Sequence, residues 1–186
     1  MAKYALFVPE CWADTALMLA LLHDRDDFIS HAQGIGKVGG VLRRQGADAS
    51  GQARRVVGMV DGDKKFAEQP YLSEFTEVVA GGWDNAQHPH CIVRHPHRPA
   101  HHLIVLHPAC DGWLLRTALA AGIHLPALGL PTELLPFKDF CKQDGVTKNH
   151  LMQTLLWELQ RRRPPAYREL ADFVARVMDI APSRHP

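Results

Sequence analysis

Short apolar runs alternate with helix-length stretches over the first third of the chain. Tyr4–Val8 is apolar throughout and stops at Pro9–Glu10, which predicts a strand buried on both faces. Asp14 is placed to cap a helix running through Ala16, Leu17, Leu19, Ala20, Leu21 and Leu22 to about His23. Asp27–Ala32 is a more polar strand candidate, and a helix is predicted through Val41–Gln45 after a glycine-rich turn. Arg54–Val60 is the third strand and ends abruptly at Asp61-Gly62-Asp63. The resulting order of strand, helix, strand, helix, strand predicts a parallel sheet with helices packed on it.

Beyond residue 63 the pattern loosens. A short helix is expected around Ser73–Val79 and a short strand at Cys91–Val93, between glycine and proline breaks. His101–His107 reads as a later strand, and a helix follows through Trp113, Leu114, Leu115 and Ala118 to Gly122. Three helices close the chain, at Thr132–Lys142, Thr147–Arg163 and Ala166–Met178, with Pro164–Pro165 separating the last two. This divides the chain into an α/β unit over residues 1–122 and a helical extension packed on it over residues 123–186. The extension is also the candidate surface for a protein partner.

Composition narrows the function. A net charge of +1 gives no global basic field, so any nucleic-acid contact must come from a local patch. The four cysteines, Cys11, Cys91, Cys110 and Cys141, contain no CxxC pair. That argues against a zinc ribbon or a disulfide framework and predicts a reducing, cytoplasmic setting. The apolar N-terminal stretch is too short for a secretory h-region, and no run approaches the roughly 20 residues that span a bilayer.

The chemistry gathers at strand ends. Open α/β sheets bind ligands at the carboxyl ends of their strands. Glu10 ends the first strand and Asp61 and Asp63 end the third. If those strands are neighbours, their spacing of about 4.8 Å lets one cation serve all three acids. Crowded carboxylates are costly unless a cation compensates, and hard oxygen ligands of this kind suit Mg²⁺ (or Mn²⁺). Asp111 is either a fourth ligand or a first-turn acid of the helix after the His101–His107 strand.

Val8-Pro9-Glu10-Cys11-Trp12-Ala13-Asp14 and Val57-Gly58-Met59-Val60-Asp61-Gly62-Asp63 resemble, in order and spacing, the two motifs of the Toprim domain. That catalytic domain occurs in topoisomerases, bacterial primases, OLD-family nucleases and small RNA-maturing nucleases. The resemblance covers roughly residues 4–115 and implies a Toprim-like parallel sheet with flanking helices. It further implies Glu10 as general acid/base, Asp61 and Asp63 as Mg²⁺ ligands, and phosphoryl transfer as the reaction. Cys11 stands where the family usually has glycine.

A nucleophilic tyrosine on its own module, as topoisomerases need, is not evident around Tyr4, Tyr71 or Tyr167, and no zinc-binding module points to a primase. A small Mg²⁺-dependent nuclease acting on nucleic-acid phosphodiesters is therefore the leading expectation. A non-catalytic nucleic-acid- or protein-binding module of the same type is the alternative. Gly34-Ile35-Gly36-Lys37-Val38-Gly39 fits a phosphate-contacting turn with Lys37 as its cation, or a plain tight turn, or the G-x-G-x-x-G of a nucleotide-binding oxidoreductase. Lys64 and Lys65 are candidate substrate contacts, whereas Arg161–Arg163 reads as a solvated helix end. Seven histidines between His88 and His107 predict a solvated loop with pH-dependent charge rather than a zinc site.

Overall fold

A computed structural model describes residues 5–45, 54–63, 66 and 68–178. The chain is mixed α/β. Strands β1 (Ala5–Pro9), β2 (Arg55–Asp61), β3 (Glu77–Gly81), β4 (His90–His95) and β5 (Arg98–Leu106) form one sheet in the order β1-β2-β5-β4-β3. β1 pairs parallel with β2 and β2 parallel with β5, whereas β4 runs antiparallel to both β5 and β3. Six α-helices accompany the sheet: α1 (Trp12–Leu21), α2 (Ile35–Arg44), α3 (Cys110–Ala120), α4 (Leu134–Cys141), α5 (His150–Arg162) and α6 (Pro165–Val177). Among the described residues, no helix is long and apolar enough to cross a membrane.

The alternation of side chains along a strand sorts the core onto two faces. Ala5, Phe7, Val57, Met59, Ile92, Ile104 and Leu106 enter one apolar cluster with α1, α3, α4, α5 and α6. Leu6, Val8, Val56, Val60, Cys91, Val93, Leu103 and Val105 enter a second with Val38 and Leu42 of α2. Both faces are covered, which is why β1, β2 and β5 read as continuous apolar runs. Gly58 permits the close seating of α2. A Cβ there would lie 2.8 Å from Leu103 Cδ1 and 3.0 Å from Val38 Cγ1.

The structure departs from the sequence expectation in four places. The sheet is mixed rather than wholly parallel, because β3 and β4 form an antiparallel extension. Asp27–Ala32 is not a full strand: a 3₁₀ turn at Asp26–Phe28 leads into a single parallel bridge, Phe7↔Ile29. The segment around Ser73–Val79 is a 3₁₀ turn, Leu72–Glu74, followed by β3 instead of a helix. The strands expected at Cys91–Val93 and His101–His107 are present and longer, and they carry most of the histidines expected in a solvated loop, with His90, His95, His101 and His107 buried. The prolines of this stretch mark the strand starts and the β4–β5 hairpin, where they remove no needed hydrogen bond.

Candidate active site

The parallel pairing of β1 with β2 brings the acids together. The register Pro9↔Met59 sets Glu10 beside the end of β2. Backbone pairing continues from Glu10 N to Met59 O at 3.0 Å, and the Glu10 carboxylate accepts the Asp61 N–H at 3.2 Å. Asp61 Oδ1 in turn accepts the N–H of Cys110, the first residue of α3, at 2.8 Å. Three strand ends thus converge through Glu10, Asp61 and the start of α3.

Asp14 adds its charge to theirs. It is the N3 residue of α1, where it closes a capping box with Cys11. Asp14 Oδ2 accepts the Cys11 N–H at 3.0 Å, and Cys11 Sγ accepts the Asp14 N–H at 3.5 Å. The N-cap is therefore Cys11, and the cap assigned to Asp14 is the return half of the box. Asp14 is fully buried, and its Oδ1 has no hydrogen-bond partner among the described residues.

Electrostatics follow from this crowding. Burial, and then the charge of Asp14, push the Asp61 carboxyl up to about 8; Glu10 and Asp111 add to the effect, and the Cys110 N–H partly opposes it. Burial pushes Asp14 up to about 7, with contacts from Cys11 and Cys110 partly offsetting it. The Cys11 and Cys110 thiols are held well above the usual thiol range by burial and by these acids. They are inert as nucleophiles at neutral pH.

The remaining predicted residues fall around this centre. Asp63 is exposed in the turn after β2, where its carbonyl accepts the Phe66 N–H at 3.1 Å. Asp111 is the second residue of α3, and its Oδ1 accepts the Gly112 N–H at 2.6 Å. It is a first-turn acid whose charge also reaches Asp61. Lys37 lies in the first turn of α2, with Nζ donating to Gln33 Oε1 at 3.3 Å. Gly34 N donates to Glu10 O at 2.9 Å, so the glycine-rich turn borders the acids. Lys64 and Lys65 lie outside the described residues.

His107 supports the Asp61-Gly62-Asp63 turn. Gly62 N donates to Leu106 O at 2.8 Å, and a Cβ on residue 62 would lie 2.6 Å from His107 Nδ1. His107 Nε2 donates to Gly82 O at 3.1 Å, which leaves Nδ1 unprotonated toward the glycine. Burial lowers the affinity of His107 for a second proton.

Hard oxygen donors at adjoining strand ends, a buried carboxylate oxygen without a donor and an Asp61 carboxyl far above its ordinary range together fit a divalent cation. Among the described residues, no three of His, Cys, Asp and Glu already stand as a ligand set. The sequence reading did not single out Cys110, whose N–H orients Asp61, or the charge contributed by Asp14. The signal for Cys110 was its place at a strand-to-helix junction beside Asp111. Comparison with family models, curated proteins and solved structures gave no match.

Proposed function

We propose that the chain is a Mg²⁺-dependent phosphoryl-transfer protein of Toprim type that hydrolyses nucleic-acid phosphodiesters. The observation that carries this reading is the 3.2 Å contact between the Glu10 carboxylate and the Asp61 N–H. It links the two Toprim-like motifs at the carboxyl edge of neighbouring parallel strands. Asp61, Asp63 and Asp111 would hold the ion, which supplies neutralising charge for the phosphoryl group and an activated water. Glu10 holds or moves a proton beside it. Lys37, Lys64 and Lys65 serve as phosphate contacts.

A second reading has its own observation. The Cys11 thiol fills the N-terminus of α1, where the Toprim motif carries glycine, and accepts the Asp14 N–H. A side chain there keeps a phosphate away from the backbone, which favours a binding module without cleavage.

Titration with Mg²⁺ and Mn²⁺, followed by cleavage of labelled DNA and RNA, separates the two. A nuclease loses metal binding in Asp61→Asn and loses cleavage in both Asp61→Asn and Glu10→Gln. Nucleic-acid binding that persists in EDTA, with no cleavage by the parent, overturns the catalytic reading.

A further inference from the structure

Two indoles stand exposed at the same end of the sheet, on either side of the acids. Trp12 is 47% exposed and Trp83 is 45% exposed, whereas Trp113 is fully buried in the core. Trp12 opens α1 directly after Glu10 and Cys11. Its ring stacks on His31, with centroids 3.7 Å apart and planes 14° from parallel. His31 is itself fixed. Thr15 Oγ1 donates to Cys11 O at 2.8 Å, so at 2.9 Å it accepts from His31 Nδ1. The capping box that places Asp14 therefore also fixes this aromatic pair.

Trp83 follows β3 at the opposite edge. Both β3 and β5 run antiparallel to β4, so β3 ends on the same side of the sheet as β2 and β5. Trp83 lies 5.6 Å from Phe66, whose N–H is bonded to Asp63 O. It lies 6.5 Å from His107, which also holds the neighbouring Gly82 carbonyl. Each indole has a cation nearby. The Lys37 charge acts on His31, and Arg116 donates to the His107 carbonyl and its charge acts on His107.

We propose that Trp12 and Trp83 are stacking platforms for the bases of a single-stranded nucleic acid laid across the carboxylates. The inference rests on the phosphodiester reading above and names the substrate class: single strands, frayed ends or unpaired loops. Exposed aromatic rings bind bases through their π-faces without regard to sequence, and paired bases cannot present those faces. Lys37, whose charge reaches His31, and Arg116, on the His107 carbonyl, are the cations that meet the phosphates of the nucleic acid.

The test uses the whole chain in EDTA. Fluorescence anisotropy and tryptophan quenching are followed with an oligothymidylate of about twelve nucleotides and with a duplex of equal length. The single strand is expected to bind at least about tenfold more tightly than the duplex. Trp12→Ala and Trp83→Ala each weaken it about tenfold, and Phe at either position restores most of the loss. Trp157→Ala, which removes an exposed indole on α5, leaves it unchanged. Thermal unfolding of every variant separates lost stacking from lost folding, with the phenylalanine variants keeping a ring where folding is sensitive. Equal affinity for single strand and duplex, or alanine variants that are folded and bind like the parent, overturns the proposal. Cleavage with Mg²⁺ is measured in parallel. Asp61-dependent cleavage indifferent to both tryptophans sinks the stacking proposal and leaves the metal reading standing. Tryptophan-dependent binding without any cleavage does the reverse.

Discussion

Asp61 Oδ1 accepts the backbone N–H of Cys110 at 2.8 Å, tying the end of β2 to the first residue of α3. An asparagine retains that acceptor and removes a negative charge from among Asp14, Glu10 and Asp111. Asp61→Asn is therefore expected to unfold at a higher temperature than the parent in EDTA at pH 8. The parent gains stability from Mg²⁺ by mass action, and the variant does not. Differential scanning calorimetry with and without Mg²⁺ reads both effects.

Stability should fall as pH rises toward 8. Burial raises the carboxyls of Asp14 and Asp61 above the 3.8 typical of an unfolded chain, to about 7 and about 8. Over that window the folded state binds more protons than the unfolded state, so unfolding free energy decreases with pH. In EDTA the midpoint at pH 8 is expected several degrees below that at pH 5, each kcal/mol being worth about 2–4 °C at this length. Saturating Mg²⁺ flattens the profile. A midpoint in EDTA that climbs from pH 5 to pH 8 would contradict the burial of these acids.

Gly62→Ala is expected to destabilise the fold by about 1–3 kcal/mol, the usual cost of overpacking. Its Cβ would meet His107 Nδ1 at 2.6 Å and Leu106 O at 3.0 Å. Truncating the ring in His107→Ala makes room, so the double variant should lose less than the sum of the single losses. Urea unfolding of the four proteins completes the cycle.

Trp113→Phe should cost about 1–3 kcal/mol through one hydrogen bond. Trp113 Nε1 donates to His90 Nδ1 at 3.2 Å within the core, and phenylalanine fills most of the volume but leaves that nitrogen without a donor. Chemical denaturation measures the loss. A cost within error of zero would mean that water or a shifted ring replaces the bond.

The parallel half of the sheet was legible because its strands are buried on both faces and so read as unbroken apolar runs. The antiparallel extension formed by β3 and β4 was legible only in part. In β4 only the apolar centre Cys91–Val93 showed, because the buried imidazoles of His90 and His95 at its ends are polar residue types that hide a strand signal relying on hydropathy. β3 is an edge strand with Val78 and Val79 exposed, so it lacks the alternation that marks a half-buried strand. The meeting of Glu10 with Asp61 was anticipated from two strand ends, since it needs only that β1 and β2 be neighbours. The Cys110 N–H and the buried charge of Asp14 depend on how α3 and α1 enter the sheet, which no local pattern encodes.

The contact between His90 and α6 limits how far this chain can be trimmed. With Trp113 donating to Nδ1, the imidazole carries its proton on Nε2, which stands 2.8 Å from Glu169 Oε2. A fragment stopping before residue 165 would keep every acid of the candidate site. It would also take the Glu169 carboxylate away from His90 and bare the apolar flank once covered by Tyr167, Leu170 and Phe173. The last helix belongs in any minimal version meant to test catalysis.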